Sequence, residues 1–312
     1  MKVSVVVCTY TMDRYDVFTE AVESALAQTY DPIEVVLVID GNPEVYERAV
    51  EDFGDYENVV IYDNDENRGI SYSRTRGAEL ASGEIVAFID DDGVAEEDWI
   101  AKLVEVYEDT DAIAVGGDVR PNWKGEQPAF FPEEFYWLVG CVEPEFAEDG
   151  EEVRNTYGSN ISYRREKFLE VGGYDPNTGR KGDKHLQAHE APVGIRLIEE
   201  FGQGMVYAED AVVHHTLFEY RGEFRWLLFR SFWQGYSKRV MDLLYPQAPD
   251  AKGDYLKWLV ADRVLRRLKG LLLSPSTAVV LQLGAIAAFT AAVGLGYIYA
   301  TLTPNLVEQA NA

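Results

Sequence analysis

The sequence is poor in cysteine and in positive charge, and each shortage removes a class of protein. Only Cys8 and Cys141 are present among 312 residues, too few and too far apart for a disulfide framework or a cysteine zinc site. Lys and Arg number 28 against 54 Asp and Glu, a formal net charge of −26. A surface that acidic repels phosphate backbones, which excludes nucleic acid as a partner. A cleavable leader is not evident either. Val3–Cys8 is too short for its apolar segment and polar Thr9–Arg14 follows at once, so the run reads as a buried first strand in a reducing cytosol. Internal repeats and low-complexity tracts are also missing.

What is present is apolar material for a large core, 47% of the chain, and an uneven charge. Residues 1–220 carry 17 basic and 48 acidic side chains, whereas residues 221–270 carry 11 and 5. The acids interleave with ordered apolar runs such as Ile33–Ile39, which suits a folded protein adapted to high salt, as in a halophilic archaeon, better than disorder.

Val3–Cys8, Ile33–Ile39, Val59–Tyr62 and Ile85–Ile89 are short, β-branched, apolar runs that predict buried parallel strands. Val17, Phe18, Ala21, Val22, Ala25 and Leu26 recur at helical spacing between the first two, and Ser71–Ala81 has helical character after the third. A further helix is expected near Glu96–Tyr107, a fifth strand over Ala112–Val119, a helix over Ala191–Phe201 and a strand over Met205–Val213. Residues 120–160 read as irregular loops, with Phe168–Tyr174 and Gly179–His189 as mobile, Gly-punctuated segments. The fold class is α/β with a mainly parallel sheet.

The C-terminal third changes character. Phe224–Leu244 and Tyr255–Leu273 mix aromatic and aliphatic residues with Arg and Lys, as expected of amphipathic helices at a membrane surface. Thr277–Leu302 holds no charge and would be roughly 35–40 Å long as a helix, against a hydrocarbon core of about 30 Å. It predicts one transmembrane helix. The basic residues flank only its N-terminal side, which keeps the large domain cytoplasmic. The expected domains are therefore residues 1–220, with halves 1–119 and 120–220, membrane-interface helices over 221–273, a span over 277–302 and a tail over 303–312.

The chemistry gathers at strand ends. Ile85–Ile89 runs straight into Asp90, Asp91 and Asp92, and ligands of open α/β sheets bind beyond the carboxyl ends of strands. Adjacent carboxylates at such a place suit Mg²⁺ or Mn²⁺ with substrate phosphates, although a solvated acidic turn is the bland rival. Thr9 and Tyr10 follow the first strand, Asp40 the second and Asn67 the third. Arg74 offers a partner for phosphate or acid.

These segments, Val3–Tyr10, Val36–Gly41, Asn67–Gly69 with Arg74 and Gly77, and Phe88–Asp92, resemble the ordered motifs of glycosyltransferase family 2 over roughly residues 1–217. The resemblance implies a GT-A fold, with a Rossmann-like nucleotide-sugar-binding half joined to an acceptor half. It implies that Asp90 and Asp92 hold the metal and donor diphosphate, and that Thr9, Tyr10, Asp40, Asn67, Arg74 and Asp91 line the nucleotide-sugar. Glu190, followed by Arg196, falls where the family has an Asp-initiated helix, which makes it the catalytic base with one extra methylene. The family often adds a His after the last strand; His215, or else its neighbour His214, fits. His185, His189, Arg225 and Trp226 are candidates for the acceptor side.

The resulting expectation is an inverting, metal-dependent glycosyltransferase. The segment at Gly222–Trp226 lacks the Gln of processive synthases and only one span follows, which favours one sugar per acceptor. A membrane tether concentrates a lipid-linked acceptor. With the halophilic composition this resembles archaeal enzymes that build dolichol-phosphate-linked glycans for surface-layer glycoproteins, using a hexuronic acid or hexose donor. Transfer to another membrane glycolipid, or a silent sugar-nucleotide-binding scaffold, are the alternatives. A nucleotidyltransferase would need a Gly-rich basic phosphate loop that Thr9–Arg14 does not supply.

Overall fold

In a computed structural model, residues 1–176, 190–246 and 253–303 are described. The expected Gly179–His189 segment, with His185 and His189, lies outside the described residues, as does the tail from 304. Two compact units emerge: a sheet unit of Met1–Asn122 and Ala147–Thr216, and a helical unit of Trp123–Phe146 and Leu217–Ala312. The expected domain halves meet elsewhere, at residue 120, with 120–146 counted in the first domain.

The strands are β1 (Val3–Thr9), β2 (Ile33–Ile39), β3 (Val59–Asp63), β4 (Ile85–Asp90), β5 (Gly93–Ala95), β6 (Ala114–Trp123), β7 (Glu152–Val153), β8 (Ile161–Arg164) and β9 (Met205–Leu217). They lie in the order β3-β2-β1-β4-β8-β6-β9-β5, with β7 beside β9. The first four strands pair in parallel, as their unbroken apolar runs require. β8 pairs antiparallel with β4 and β6, and β9 with β5 and β7, so the sheet is mixed. The fifth expected strand starts two residues later than read and continues through Trp123, while β5 escaped notice. The edge strand β3 is only half buried, because one of its sides has no neighbour.

Side chains alternate across the sheet. Val5, Val7, Leu37, Ile39 and Ile89 pack on one face with Phe18 of α1 (Tyr15–Leu26), Val45 and Phe53 of α2 (Pro43–Phe53), and Trp99 and Leu103 of α4 (Trp99–Asp109). Val6, Val36, Val38 and Phe88 meet the opposite layer: Ala78 of α3 (Ile70–Leu80), Phe168 of α5 (Arg165–Glu170), and Val193 and Leu197 of α6 (Glu190–Phe201). Phe168–Tyr174 is therefore part of the core, not a mobile segment. The Phe168 and Tyr174 rings are buried with centroids 5.2 Å apart.

At the amino ends of the strands, buried Glu34 accepts hydrogen bonds from Ser4 Oγ at 2.6 Å, Ser82 N at 2.7 Å and Ser82 Oγ at 2.7 Å, and pairs with Lys2 at 3.1 Å. Burial pushes its pKa up, but these donors outweigh burial and bring it down to about 2.

The helical unit contains α7 (Phe224–Leu244), α8 (Gly253–Trp258), a π-helical turn (Leu259–Val264), α9 (Leu265–Leu273) and α10 (Thr277–Leu302). α7 lies against α10 where two glycines remove side-chain bulk. A Cβ on Gly235 would sit 1.9 Å from Val293 O, and one on Gly296 1.8 Å from Phe232 O. The expected interfacial helix thus spends one face, including Leu227, Ser231 and Gly235, on burial. Phe289 is enclosed by Phe131, Phe135 and Phe224, and buried Glu134 is held by both terminal nitrogens of Arg267. Much of α10 stays uncovered: Val280, Leu281, Leu295, Ile298 and Leu302 are exposed. The helix is long and apolar enough to cross a membrane.

Candidate active site

The sheet unit builds the site from the carboxyl ends of β1 and β4 and from the antiparallel pair β5 and β9. β4 delivers Asp90, half-exposed, and then Asp91 and Asp92, both buried. Three adjacent acids need support. Thr9 Oγ1, at the tip of β1, donates to Asp91 Oδ2 at 2.9 Å. Arg14 reaches from the loop after β1 to Asp91 at 3.2 Å and Asp92 at 3.3 Å. Burial, followed by repulsion from Asp92, still pushes Asp91 up to about 7.

The register of β9 explains the histidines. Gly93 lies opposite His215, and Thr216 N donates to Asp92 O at 2.7 Å. His215 Nε2 then stands 3.0 Å from Asp92 Oδ1. His214, on the other face of the strand, meets Glu96 at 3.0 Å instead. One ligand atom each from Asp90, Asp92 and His215 fall within 4.8 Å of one another. Two hard carboxylate oxygens and an imidazole nitrogen fit a divalent cation such as Mg²⁺ or Mn²⁺, with room left for phosphate oxygens and water.

Arg74, buried on α3, links this cluster to Glu190. Its Nη2 contacts Asp90 Oδ1 at 2.5 Å and Gly158 O at 2.9 Å, and its Nη1 lies 3.9 Å from Glu190 Oε1. Burial opposes the charge on Arg74, but Asp90 leads the acids that hold it above its ordinary value. Glu190 opens α6, where an acid suits the helix dipole, and accepts a hydrogen bond from Gly158 N at 3.1 Å. A side chain at Gly158 would push both groups out of place: a Cβ would meet Glu190 Oε1 at 2.3 Å and Arg74 Nη1 at 2.5 Å.

Thr9, Arg74, Asp90, Asp91, Asp92, Glu190 and His215 therefore form one connected group. Other expected residues behave differently. Asp40 accepts from Asn64 Nδ2 at 2.7 Å and from the backbone of Arg68 and Gly69, each at 2.8 Å, so it organises the loop that carries exposed Asn67. Tyr10 is 52% exposed, with the Arg14 guanidinium 5.9 Å from its ring centroid. Arg196 holds the carbonyls of Val171 and Gly173. Arg225 and Trp226 belong to the helical unit, where Arg225 is exposed and Trp226 stacks with Arg230 at 5.4 Å. Sequence reasoning missed Arg14 and Gly158. For Arg14 the signal was a cation in the loop following a strand that ends at the site; Gly158 had none.

Residues 4–172 match the profile described as glycosyl transferase family 2, and the chain belongs to that family; it is a GT-A glycosyltransferase. A relative from Haloferax volcanii, the glucosyl-dolichyl phosphate glucuronosyltransferase, is 66% identical over 312 residues, covering the whole of both chains. Among solved structures, the mannosyltransferase PcManGT from Pyrobaculum calidifontis, in complex with GDP-Man and Mn²⁺, aligns over 97% of this chain and 86% of its own. Its TM-score is 0.59 at 19% identity. S. aureus TarS 1–349 in complex with UDP-GlcNAc aligns over 94% and 82%, with a TM-score of 0.57 and 16% identity. Those two likenesses speak for the fold.

Proposed function

We propose that this protein transfers one glucuronic acid residue from a nucleoside-diphosphate donor to glucosyl-dolichyl phosphate, with inversion, in the assembly of a surface-layer N-glycan. The observation that carries the reading is the 66% identity to the Haloferax volcanii glucuronosyltransferase, end to end. The uncovered, uncharged α10 supports a single-pass anchor beside a lipid substrate, and the Arg and Lys residues on its N-terminal side favour a cytoplasmic sheet unit.

In this reading Asp90, Asp92 and His215 hold Mn²⁺ or Mg²⁺, and the imidazole nitrogen favours Mn²⁺. Such a cation, when bound, compensates the charge on the leaving diphosphate. Arg74 fixes Asp90 and faces Glu190, so one guanidinium positions both acids. Glu190 takes the proton of the acceptor hydroxyl as that oxygen bonds to the anomeric carbon. The anomeric carbon–phosphate oxygen bond breaks on the opposite side, and its electron pair leaves with the nucleoside diphosphate. Thr9 and Arg14 keep Asp91 and Asp92 in place during the exchange.

The test is to supply membrane-reconstituted protein with glucosyl-dolichyl phosphate and a panel of nucleotide sugars, and to read the lipids by mass spectrometry. Addition of a single hexuronate, dependent on the divalent ion, is expected. Incorporation of hexose alone, or modification of a soluble glycan with no lipid product, would refute the reading.

A further inference from the structure

Two successive glycines weaken the interior of a strand, and a glycine there often marks the close approach of another chain segment. β6 carries Gly116 and Gly117, and each makes room for a polar residue of the loop that leads into β8. A Cβ on Gly116 would fall 1.9 Å from Thr156 Oγ1, and one on Gly117 would fall 2.0 Å from Ala211 O and 2.5 Å from Asn160 Nδ2. The side chain of Asn160 therefore lies over Gly117 and reaches β9, on the far side of β6 from β8.

Asn160 is wholly buried, and each of its polar groups is engaged. Nδ2 donates to Asp118 O on β6 and to Ala211 O on β9, each at 2.7 Å. Oδ1 accepts from Trp99 Nε1, at the start of α4, at 2.8 Å. The backbone oxygen accepts from Gly117 N and from Thr156 Oγ1, both at 3.2 Å, and the backbone N donates to Tyr157 O at 2.9 Å. Three bonds from one planar amide fix both its place and its orientation.

What is held in this way is the loop from Thr156 to Asn160, with Gly158 at its centre. Gly158 N donates to Glu190 Oε1 at 3.1 Å, and Gly158 O accepts from Arg74 Nη2 at 2.9 Å. The far end of the connection, Ala211, lies on the strand that carries His215, whose ring meets Asp92 at 3.0 Å. Resting on the reading of Glu190 as the group that takes the acceptor proton, we propose that Asn160 is a positioning residue for transfer. It ties the strand bearing His215 to the loop that seats Glu190, and so sets the reach of the base relative to Asp90 and Asp92. Being enclosed, it acts only through β9 and Gly158.

The full-length protein in lipid nanodiscs is compared with Asn160→Asp, Trp99→Phe and, as a control, Tyr107→Phe, which removes a buried hydrogen bond of 3.0 Å to Ser162 on β8. Asn160→Asp keeps the shape but turns both N–H donors into an oxygen that faces two carbonyls. Its kcat should fall about 10²-fold, the effect of displacing a reacting group by about an ångström, with the donor KM unchanged. Trp99→Phe, which removes only the indole donor, should give a smaller fall of the same kind. Tyr107→Phe should lower the melting temperature and leave kcat as it was. Hydrogen exchange, measured without donor or acceptor, should quicken over residues 156–160 in Asn160→Asp and not in Tyr107→Phe. Wild-type kcat in Asn160→Asp, or a loss of kcat and a gain in exchange matched by Tyr107→Phe, would overturn the proposal. Should Asn160→Asp fail to fold, Trp99→Phe decides, and wild-type kcat with wild-type exchange would overturn it equally. A wild-type protein that moves no glucuronate to the dolichyl lipid would count against the proposed reaction; the exchange over 156–160 then judges the tie by itself, quickened for it and unchanged against it.

Discussion

The two units of this protein solve opposite problems of burial. The sheet unit encloses charge within an aliphatic frame: its core is Val, Ile, Leu and Phe from strands and covering helices, and its buried acids each have named supports. The helical unit encloses aromatic rings and leaves aliphatic surface outside, with Leu272 and Leu273 on α9 86% and 89% exposed. Water is a good solvent for the first surface and a poor one for the second. The comparison teaches that the chain was divided by medium, an acidic unit for concentrated salt and an apolar, basic-flanked one for lipid.

The largest effect should come from the acids of the sheet unit. Asp92→Asn should lower transfer on the order of 10³-fold, and Glu190→Gln by about 10²–10⁴-fold. Unchanged circular dichroism would show that both remain folded; ordinary turnover by either would remove that residue from the mechanism. If these acids serve the fold instead, melting temperature should fall with activity, and the contrast between the units breaks.

Glu34 sharpens it next. Its folded-state value, about 2, lies below that of an ordinary glutamate. Its contribution is thus complete above about pH 4.5 and lost as the pH falls toward 2, and Glu34→Gln should cost about 1–2 kcal/mol at neutral pH. Denaturation of the two proteins at pH 7 and at pH 2.5 checks this, with the gap narrowing in acid. A gap independent of pH would show that charge is not what Glu34 supplies.

In the helical unit the vulnerable feature is shape. Gly235→Ala should cost about 1–3 kcal/mol through overpacking against Val293 O, read as a fall in thermal stability in detergent with little change in donor affinity. A loss of donor binding equal to that of Asp92→Asn would dissolve the distinction between the units. The smallest effect belongs to a surface charge: Arg48→Ala, which removes an exposed pairing with Glu51 and Asp52, should leave the thermal melting curve nearly unchanged, and closer still to wild type at high salt.

Much of the sheet unit was legible because its strands are continuous apolar runs and its acids stand where such runs stop. Asp90–Asp92 could be placed by that logic, with family resemblance supplying Glu190 and His215. The rest depended on contacts that local patterns do not encode. β5 is three residues long and has no periodicity to detect. β6 and β8 alternate too briefly to disclose that they run antiparallel. Asp40 ends its strand like a ligand residue, yet its partners are backbone amides more than 20 residues away. Gly158 matters only because Arg74 and Glu190 converge on it from distant helices. In the helical unit the apolar length of α10 was plain, but its glycine-mediated seam with α7 was hidden among unremarkable small residues.

The pleat of β9 places His214 and His215 back to back, one toward Glu96 and the other toward Asp92. Parity along that strand is consequently a functional quantity. Deleting one residue between Met205 and the pair would turn His215 to the face that meets Glu96 and bring Thr216 opposite Gly93, whereas deleting two would restore the original imidazole's orientation one dipeptide step displaced. A family of such deletions would behave as odd and even members, and only the even ones could keep His215 pointing at the aspartates.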